Sequence, residues 1–296
     1  AQFPVEARGD LDLTIQTVDM SVSSRRPDRM RQNAVPRPLE QDMQQNVFFV
    51  HIAKTAGTSL NDALARAFDQ STFHSHVEGA HDILARACRN QLRGRSCLSG
   101  HVGLPSTRWA IEAPDWCVFT VMRDPIQHIQ SHLRWVKGLS EPKNRQNFQA
   151  HPEDIKDLSR ALWETPLAEV ERLDRIIYED HPTGCALFDN CQVRYLRSIR
   201  RAEPATNVDK NEALANLDRI DFVGRIEDPV PVLRFIQSIS DHPQSEVTLR
   251  RSNIGGYQED IDLSSDEVLA FYKKLTHFDQ IVYDAVVERS AQQATH

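Results

Sequence analysis

Short apolar runs alternate with stretches whose apolar positions recur every three or four residues. Val47-Phe48-Phe49-Val50 is apolar at every position, the pattern of a strand buried on both faces. A Gly/Thr/Ser turn follows, and then Leu60, Ala63, Leu64 and Ala67 fall at helical spacing. Ser96 to Val102 reads as a short strand, Trp116 to Val121 as the clearest further buried strand, and Phe222-Val223-Gly224 as another. Helical periodicity occupies about 79–92, 125–138, 153–163, 166–178, 184–200, 229–239 and 265–289. Asp124-Pro125 opens one of these as an N-cap followed by proline at the first helical position. Strands alternating with helices predict an α/β chain, a P-loop-like three-layer fold with a central parallel sheet flanked by helices. The fold is expected over residues 46–296. Residues 1–45 carry Arg25, Arg26, Pro27, Arg29, Arg31, Pro36, Arg37 and Pro38 with little apolar periodicity, and read as an N-terminal arm or linker.

Composition narrows the class. Of 296 residues, 40% are hydrophobic and 26% charged, enough apolar mass for a sizeable core, which excludes collagen, coiled coil and full disorder. Lysine and arginine total 35 and aspartate and glutamate 42; the resulting charge of −7 argues against a general nucleic-acid coat but leaves room for a local basic pocket. There is no apolar run long enough for a transmembrane helix and no basic start leading into an apolar stretch, so neither a membrane segment nor a signal peptide is expected. The five cysteines, Cys88, Cys97, Cys117, Cys185 and Cys191, contain no CxxC pair and point to a reducing compartment, the cytoplasm. Pairing of Cys185 with Cys191 is the alternative in an oxidising one.

Candidate chemistry gathers at strand ends. His51-Ile52-Ala53-Lys54-Thr55-Ala56-Gly57-Thr58-Ser59-Leu60 joins the first strand to a helix. Unpaired N–H groups at a helix start attract an anion, Gly57 permits close backbone approach, Thr58 and Ser59 add hydroxyls, and Lys54 adds a point charge. The order is not GxxxxGK[ST], which disfavours a nucleoside triphosphatase. Arg123 ends the strand that begins near Trp116, and Ser131 follows eight residues later, two turns into the next helix. In a parallel sheet both segments reach one edge, and two grips suggest a ligand with two separate phosphates. A plain strand-to-helix connection and a structural arginine are the alternatives. Ser99-Gly100-His101-Val102 ends a strand at the same edge, where an imidazole with a near-neutral pKa suits proton removal; twelve histidines make a packing residue the rival.

These segments resemble the sulfotransferase superfamily that uses 3′-phosphoadenosine 5′-phosphosulfate. The loop from His51 to Leu60 looks like its 5′-phosphosulfate loop, and Arg123 to Ser131 looks like its 3′-phosphate motif at the same spacing. The wording is most similar to the Golgi-type glycan sulfotransferases, such as the uronosyl 2-O-sulfotransferases, and their bacterial relatives. Ala53 stands where many relatives have proline. The resemblance covers roughly 46–140, is looser beyond, and is absent before residue 46. It implies sulfuryl transfer to a hydroxyl acceptor, most readily a glycan, with no metal. His101 is then the base and Lys54 the group that stabilises the leaving oxygen. Lys54, Thr55, Ala56, Gly57, Thr58 and Ser59 hold the 5′-phosphate, and Arg123 and Ser131 the 3′-phosphate. Arg250-Arg251-Ser252-Asn253-Ile254-Gly255-Gly256 resembles the family's late loop, placing Arg251 and Ser252 at the cofactor unless that segment is a solvated turn.

Two basic stripes, Arg86/Arg89/Arg93 and Arg194/Arg197/Arg201, recur at i, i+3, i+7 and read either as faces for an anionic acceptor or as solvated helix faces. Gln192, with Asn190 and Tyr195, is a further acceptor candidate. Asp279 and Tyr283 read as structural, and Glu112 and Asp115 as weaker bases or solvated loop residues. His74/His76 and His128/His132 have metal-like spacing without further ligands in sequence. A P-loop small-molecule kinase and a non-catalytic nucleotide- or glycan-binding module are the competing functions, and homo-oligomerisation stays open.

Overall fold

A computed structural model describes residues 45–242, 257–259 and 261–294. The expected N-terminal arm and the loop holding Arg251 and Ser252 lie outside these residues. Five strands, β1 (Asn46–Val50), β2 (Phe73–Ser75), β3 (Cys97–Gly100), β4 (Trp116–Met122) and β5 (Phe222–Arg225), form one sheet of order β2-β3-β1-β4-β5. Every pairing is parallel, with Val50 beside both Gly100 and Thr120. The expected α/β fold with a parallel sheet and flanking helices is therefore present.

The helices are α1 (Gly57–Ala67), α2 (His81–Cys88), α3 (Leu104–Glu112), α4 (Pro125–Leu139), α5 (Arg145–Gln149), α6 (Glu153–Trp163), α7 (Val170–Arg175), α8 (Pro182–Phe188), α9 (Cys191–Leu196), α10 (Asn207–Leu217), α11 (Pro229–Ser238), α12 (Asp266–Leu275) and α13 (His277–Ala294). Strand alternation sends Phe48 and Val50 to one core and Val47 and Phe49 to the other. The first core is completed by α3, α9, α10 and α13, the second by Leu60, Ala63 and Leu64 of α1 and Val232 and Ile236 of α11. That division makes three layers. A third apolar cluster joins α4, α6 and α12 through Leu133, Leu162 and Phe271. No described helix is long and apolar enough to cross a membrane.

Several boundaries differ from expectation. The single helix expected over 184–200 is α8 and α9, interrupted at Asp189 and Asn190, where Asn190 takes a left-handed φ of 47°. The helix over 265–289 is divided at Thr276, whose φ of −122° ends α12. The helix over 79–92 closes at Cys88, and left-handed Asn90 and Gly94 follow, so Arg93 lies beyond it and the Arg86/Arg89/Arg93 stripe is not one helix face. β2, α3, α5 and α10 are additions; α10 starts at a capping box made by Thr206 and Asp209.

Candidate active site

The shared register of β1, β3 and β4 delivers the residues after each strand to one sheet edge, where the strand order reverses around β1. Lys54 follows β1, His101 follows β3 and Arg123 follows β4.

The β1–α1 loop is braced first by its own residues. Lys54 and Ala56 adopt left-handed φ values of 68° and 61°, a conformation that costs a residue with a Cβ about 1–2 kcal/mol. Buried Thr55 donates its hydroxyl to the Ile52 carbonyl at 2.9 Å, so that hydroxyl braces the loop from inside. The glycine has a more specific task than the sequence suggested. A Cβ at Gly57 would overlap the His51 ring, so its close approach is to an imidazole of its own loop. His51 stacks on Phe49 at 5.4 Å between centroids and lies 4.0 Å from the His101 ring. Burial, with His101 next, pushes the His51 pKa down to about 2, so the ring is neutral. Ala56, the N-cap of α1, makes no side-chain cap hydrogen bond, unlike Asp124 at the start of α4. Thr58 is exposed and Ser59 is buried in that first turn.

Arg123 is held by a distant residue. Fully buried Gln192 on α9 accepts from the Arg123 N–H at 3.0 Å and donates to its carbonyl at 2.9 Å. The arginine side chain in turn donates to the Lys54 carbonyl at 3.3 Å, tying the two corners together. Behind Gln192, buried Asp279 accepts from the N–H groups of Gln192 at 3.2 Å and Val193 at 2.7 Å, capping α9. Desolvation raises the Asp279 pKa to about 7 against those bonds. Lys54 lies over the Trp135 ring at 5.6 Å, and burial, then Arg123, lowers its pKa from the usual lysine range. Ser131 is half-buried on α4, the helix that Asp124 and Pro125 begin.

His101 is solvent-accessible on one side and crowded on the other. Its Nδ1 lies 3.0 Å from the His51 carbonyl. A carbonyl only accepts, so Nδ1 carries the proton and Nε2 keeps its lone pair. Desolvation lowers the His101 pKa below its ordinary 6.5, opposed by Glu78 and by the His51 carbonyl. The ring is neutral at pH 7 in the tautomer a base at Nε2 requires. Glu78 accepts from the His101 backbone N–H at 2.9 Å. Glu112 and Asp115 precede β4 and sit at the opposite sheet edge.

The acceptor candidates in and just after α9 are engaged inside the protein. Arg194, Arg197 and Gln192 are buried. Arg194 pairs with Asp189 at 3.1 Å and Arg197 with Asp209 at 3.0 Å, while Arg201 bridges Asp209 and Glu212. The stripe is an internal ion network joining α8, α9 and α10. Asn190 is also internal, accepting from the N–H of Phe278 at 2.6 Å and of Asp279 at 3.2 Å. The Tyr195 phenol is buried against the Ala53 backbone, and burial raises its pKa. Cys185 and Cys191 are separate buried thiols.

Two histidine clusters acquire third members that sequence spacing did not show. His76 meets Glu78 and His101, and His128 and His132 meet Cys191; in each trio one donor atom per residue lies within 4.8 Å of the others. The second trio is wholly buried, and His128 donates to the Ala53 carbonyl at 2.8 Å, making it part of the loop's support.

No family model matches this chain, and no curated protein matches it.

Proposed function

We propose that the chain is an O-sulfotransferase that moves a sulfuryl group from 3′-phosphoadenosine 5′-phosphosulfate to a hydroxyl acceptor, a carbohydrate before others. The observation that carries the reading is the convergence at one sheet edge of Lys54, Arg123, an α1 start without a side-chain cap, and a neutral His101 whose Nε2 lone pair is available. His101 Nε2 takes the hydroxyl proton as the acceptor oxygen bonds to sulfur. The bond from sulfur to the 5′-phosphate oxygen breaks, and the bisphosphate leaves. Lys54 meets the charge growing on that oxygen, and the N–H groups from Gly57 to Ser59 hold the 5′-phosphate. Arg123 and Ser131 hold the 3′-phosphate. Positioning and charge stabilisation supply the acceleration, as in phosphoryl transfer. Arg194 and Arg197 are left out of the acceptor site in this reading, because buried carboxylates already pair them. The five cysteines form no disulfide, which suits a reducing compartment such as the cytoplasm.

The test is calorimetric titration with 3′-phosphoadenosine 5′-phosphate, with and without magnesium, beside ATP. Micromolar binding of the bisphosphate, indifferent to magnesium and much tighter than ATP, is expected. No binding, or magnesium-dependent preference for ATP, overturns the reading.

A further inference from the structure

The edge residue His101 has two neighbours that the transfer chemistry does not use. His76 sits just after β2 in a left-handed conformation, φ 57°, which a β-carbon disfavours. Its Nδ1 faces Glu78 Oε1 at 3.2 Å, and its ring is 6.2 Å from that of His101. Glu78 is fixed from its other side, since Oε2 accepts the His101 N–H at 2.9 Å. Gly100 leaves the room this needs: a Cβ there would come within 2.6 Å of Glu78 Oε2. One donor atom from each of His76, Glu78 and His101 lies within 4.8 Å of the others.

We propose that His76, Glu78 and His101 form a binding site for a first-row divalent cation, zinc foremost, that shuts off the base. Two imidazoles and one carboxylate are a zinc donor set with a fourth position left for water. Nitrogen donors select zinc, copper or nickel over magnesium and calcium, which prefer all-oxygen shells. The His101 proton is already placed: Nδ1–H donates to the His51 carbonyl, so Nε2 is the donor, and such an outer carbonyl is the usual partner of a ligating histidine. Between His76 and Glu78 the cation replaces one shared proton. The site has solvent access, because His76 and His101 are both exposed. Its charge is modest, as Glu78 offsets part of the ion's charge while nearby Lys54 opposes it; Lys54 already lowers the pKa of His101. Occupancy commits the Nε2 lone pair to the metal, so the base is lost while the ion is bound. That inhibitory half rests on the transfer reading above; the binding half does not.

The full chain, stripped with chelator, is titrated calorimetrically with zinc chloride and separately with magnesium chloride, with no nucleotide present. One saturable zinc site and no magnesium heat are expected. His76→Asn retains a residue that tolerates a left-handed backbone. It is expected to keep the wild-type melting temperature and bisphosphate binding, and to weaken zinc at least tenfold. In the transfer assay, zinc inhibits the wild-type chain, chelator restores it, and His76→Asn resists inhibition. Absence of a saturable zinc isotherm, or equal zinc affinity in folded His76→Asn, overturns the site. Zinc binding without inhibition, in a chain that turns over, overturns the switch. Failure of the bisphosphate titration alone removes the transfer reading and leaves the zinc isotherm standing.

Discussion

Lys54 and Arg123 reach the same edge with opposite kinds of support. The β1–α1 loop is stabilised largely within a few residues: Thr55 bonds Ile52, Ala56 and Lys54 turn left-handed, and His51 fills the space beside Gly57, while from outside His128 and Tyr195 meet the Ala53 backbone and Arg123 the Lys54 carbonyl. The turn after β4 depends on Gln192, 69 residues away, which is positioned in turn by Asp279 on α13. A loop braced largely from within is less exposed to change elsewhere. A corner braced from afar inherits every disturbance of α9. His101 stands between the corners, so a change there separates binding from reaction. His101→Ala is expected to slow transfer by about 10²–10⁴ while bisphosphate affinity, measured calorimetrically, stays near wild type. Full activity in that variant would remove the base from the scheme.

Gln192→Ala leaves the Arg123 N–H and carbonyl without their buried partner. The expected loss is about 1–3 kcal/mol in urea unfolding. Affinity for the 3′,5′-bisphosphate falls more than affinity for adenosine 5′-phosphate, because only the former uses Arg123. Equal losses for both nucleotides would show that Gln192 supports the whole edge and would dissolve the contrast between corners. Thr55→Val, the matching change in the self-braced loop, costs about 1 kcal/mol and acts equally on both nucleotides.

Proton linkage offers a milder probe of the remote brace. Asp279 titrates near 7 when folded and near 3.9 when unfolded, so the folded chain holds the extra proton between those values. Its contribution to stability therefore declines as pH rises from about 4 to about 7, by at most about 1.4 kcal/mol per pH unit. The buried histidines run the other way. His51 and His128, held at about 2 and about 4, contribute fully above 6.5 and lose that contribution as pH falls below it. Asp279→Asn removes only the first slope. Melting temperatures measured between pH 4 and 7 are expected to show the variant improving relative to wild type as pH rises, and a constant difference would refute the assignment.

The same contrast decides what the sequence could show. β1 and β4 were legible because continuous apolar runs such as Val47 to Val50 signal burial on both faces. The self-braced loop was legible because its lysine, glycine and hydroxyls are adjacent. β2 was missed because three residues, two of them polar, carry no periodicity. Arg194, Arg197 and Arg201 share the spacing of Arg86, Arg89 and Arg93, yet Arg194 and Arg197 are buried and Arg201 half-buried, while the other three are exposed. The difference is Asp209 and Glu212 on α10, whose helix has almost no apolar stripe to betray it. Gln192 is legible only as a polar residue near the arginines; its bracing of Arg123 has no local signal, since that partner is a backbone brought near by topology.

The smallest expected effect tests whether backbone strain is part of the self-braced loop's design. Ala56 holds a left-handed φ of 61° at the start of α1. Glycine relieves a cost of about 1–2 kcal/mol there but adds about 0.5–1 kcal/mol of unfolded-state freedom. Ala56→Gly is therefore expected to raise stability by up to about 1.5 kcal/mol in urea unfolding. If the strained alanine keeps the first N–H groups of α1 aimed at the edge, the same variant binds the bisphosphate slightly more weakly. Stability and affinity would then move in opposite directions, which no change on α9 is expected to produce. A variant that loses stability would mean that packing around Ala56, rather than its own backbone preference, sets the loop's path, and the β1–α1 corner would be less self-sufficient than its hydrogen bonds suggest.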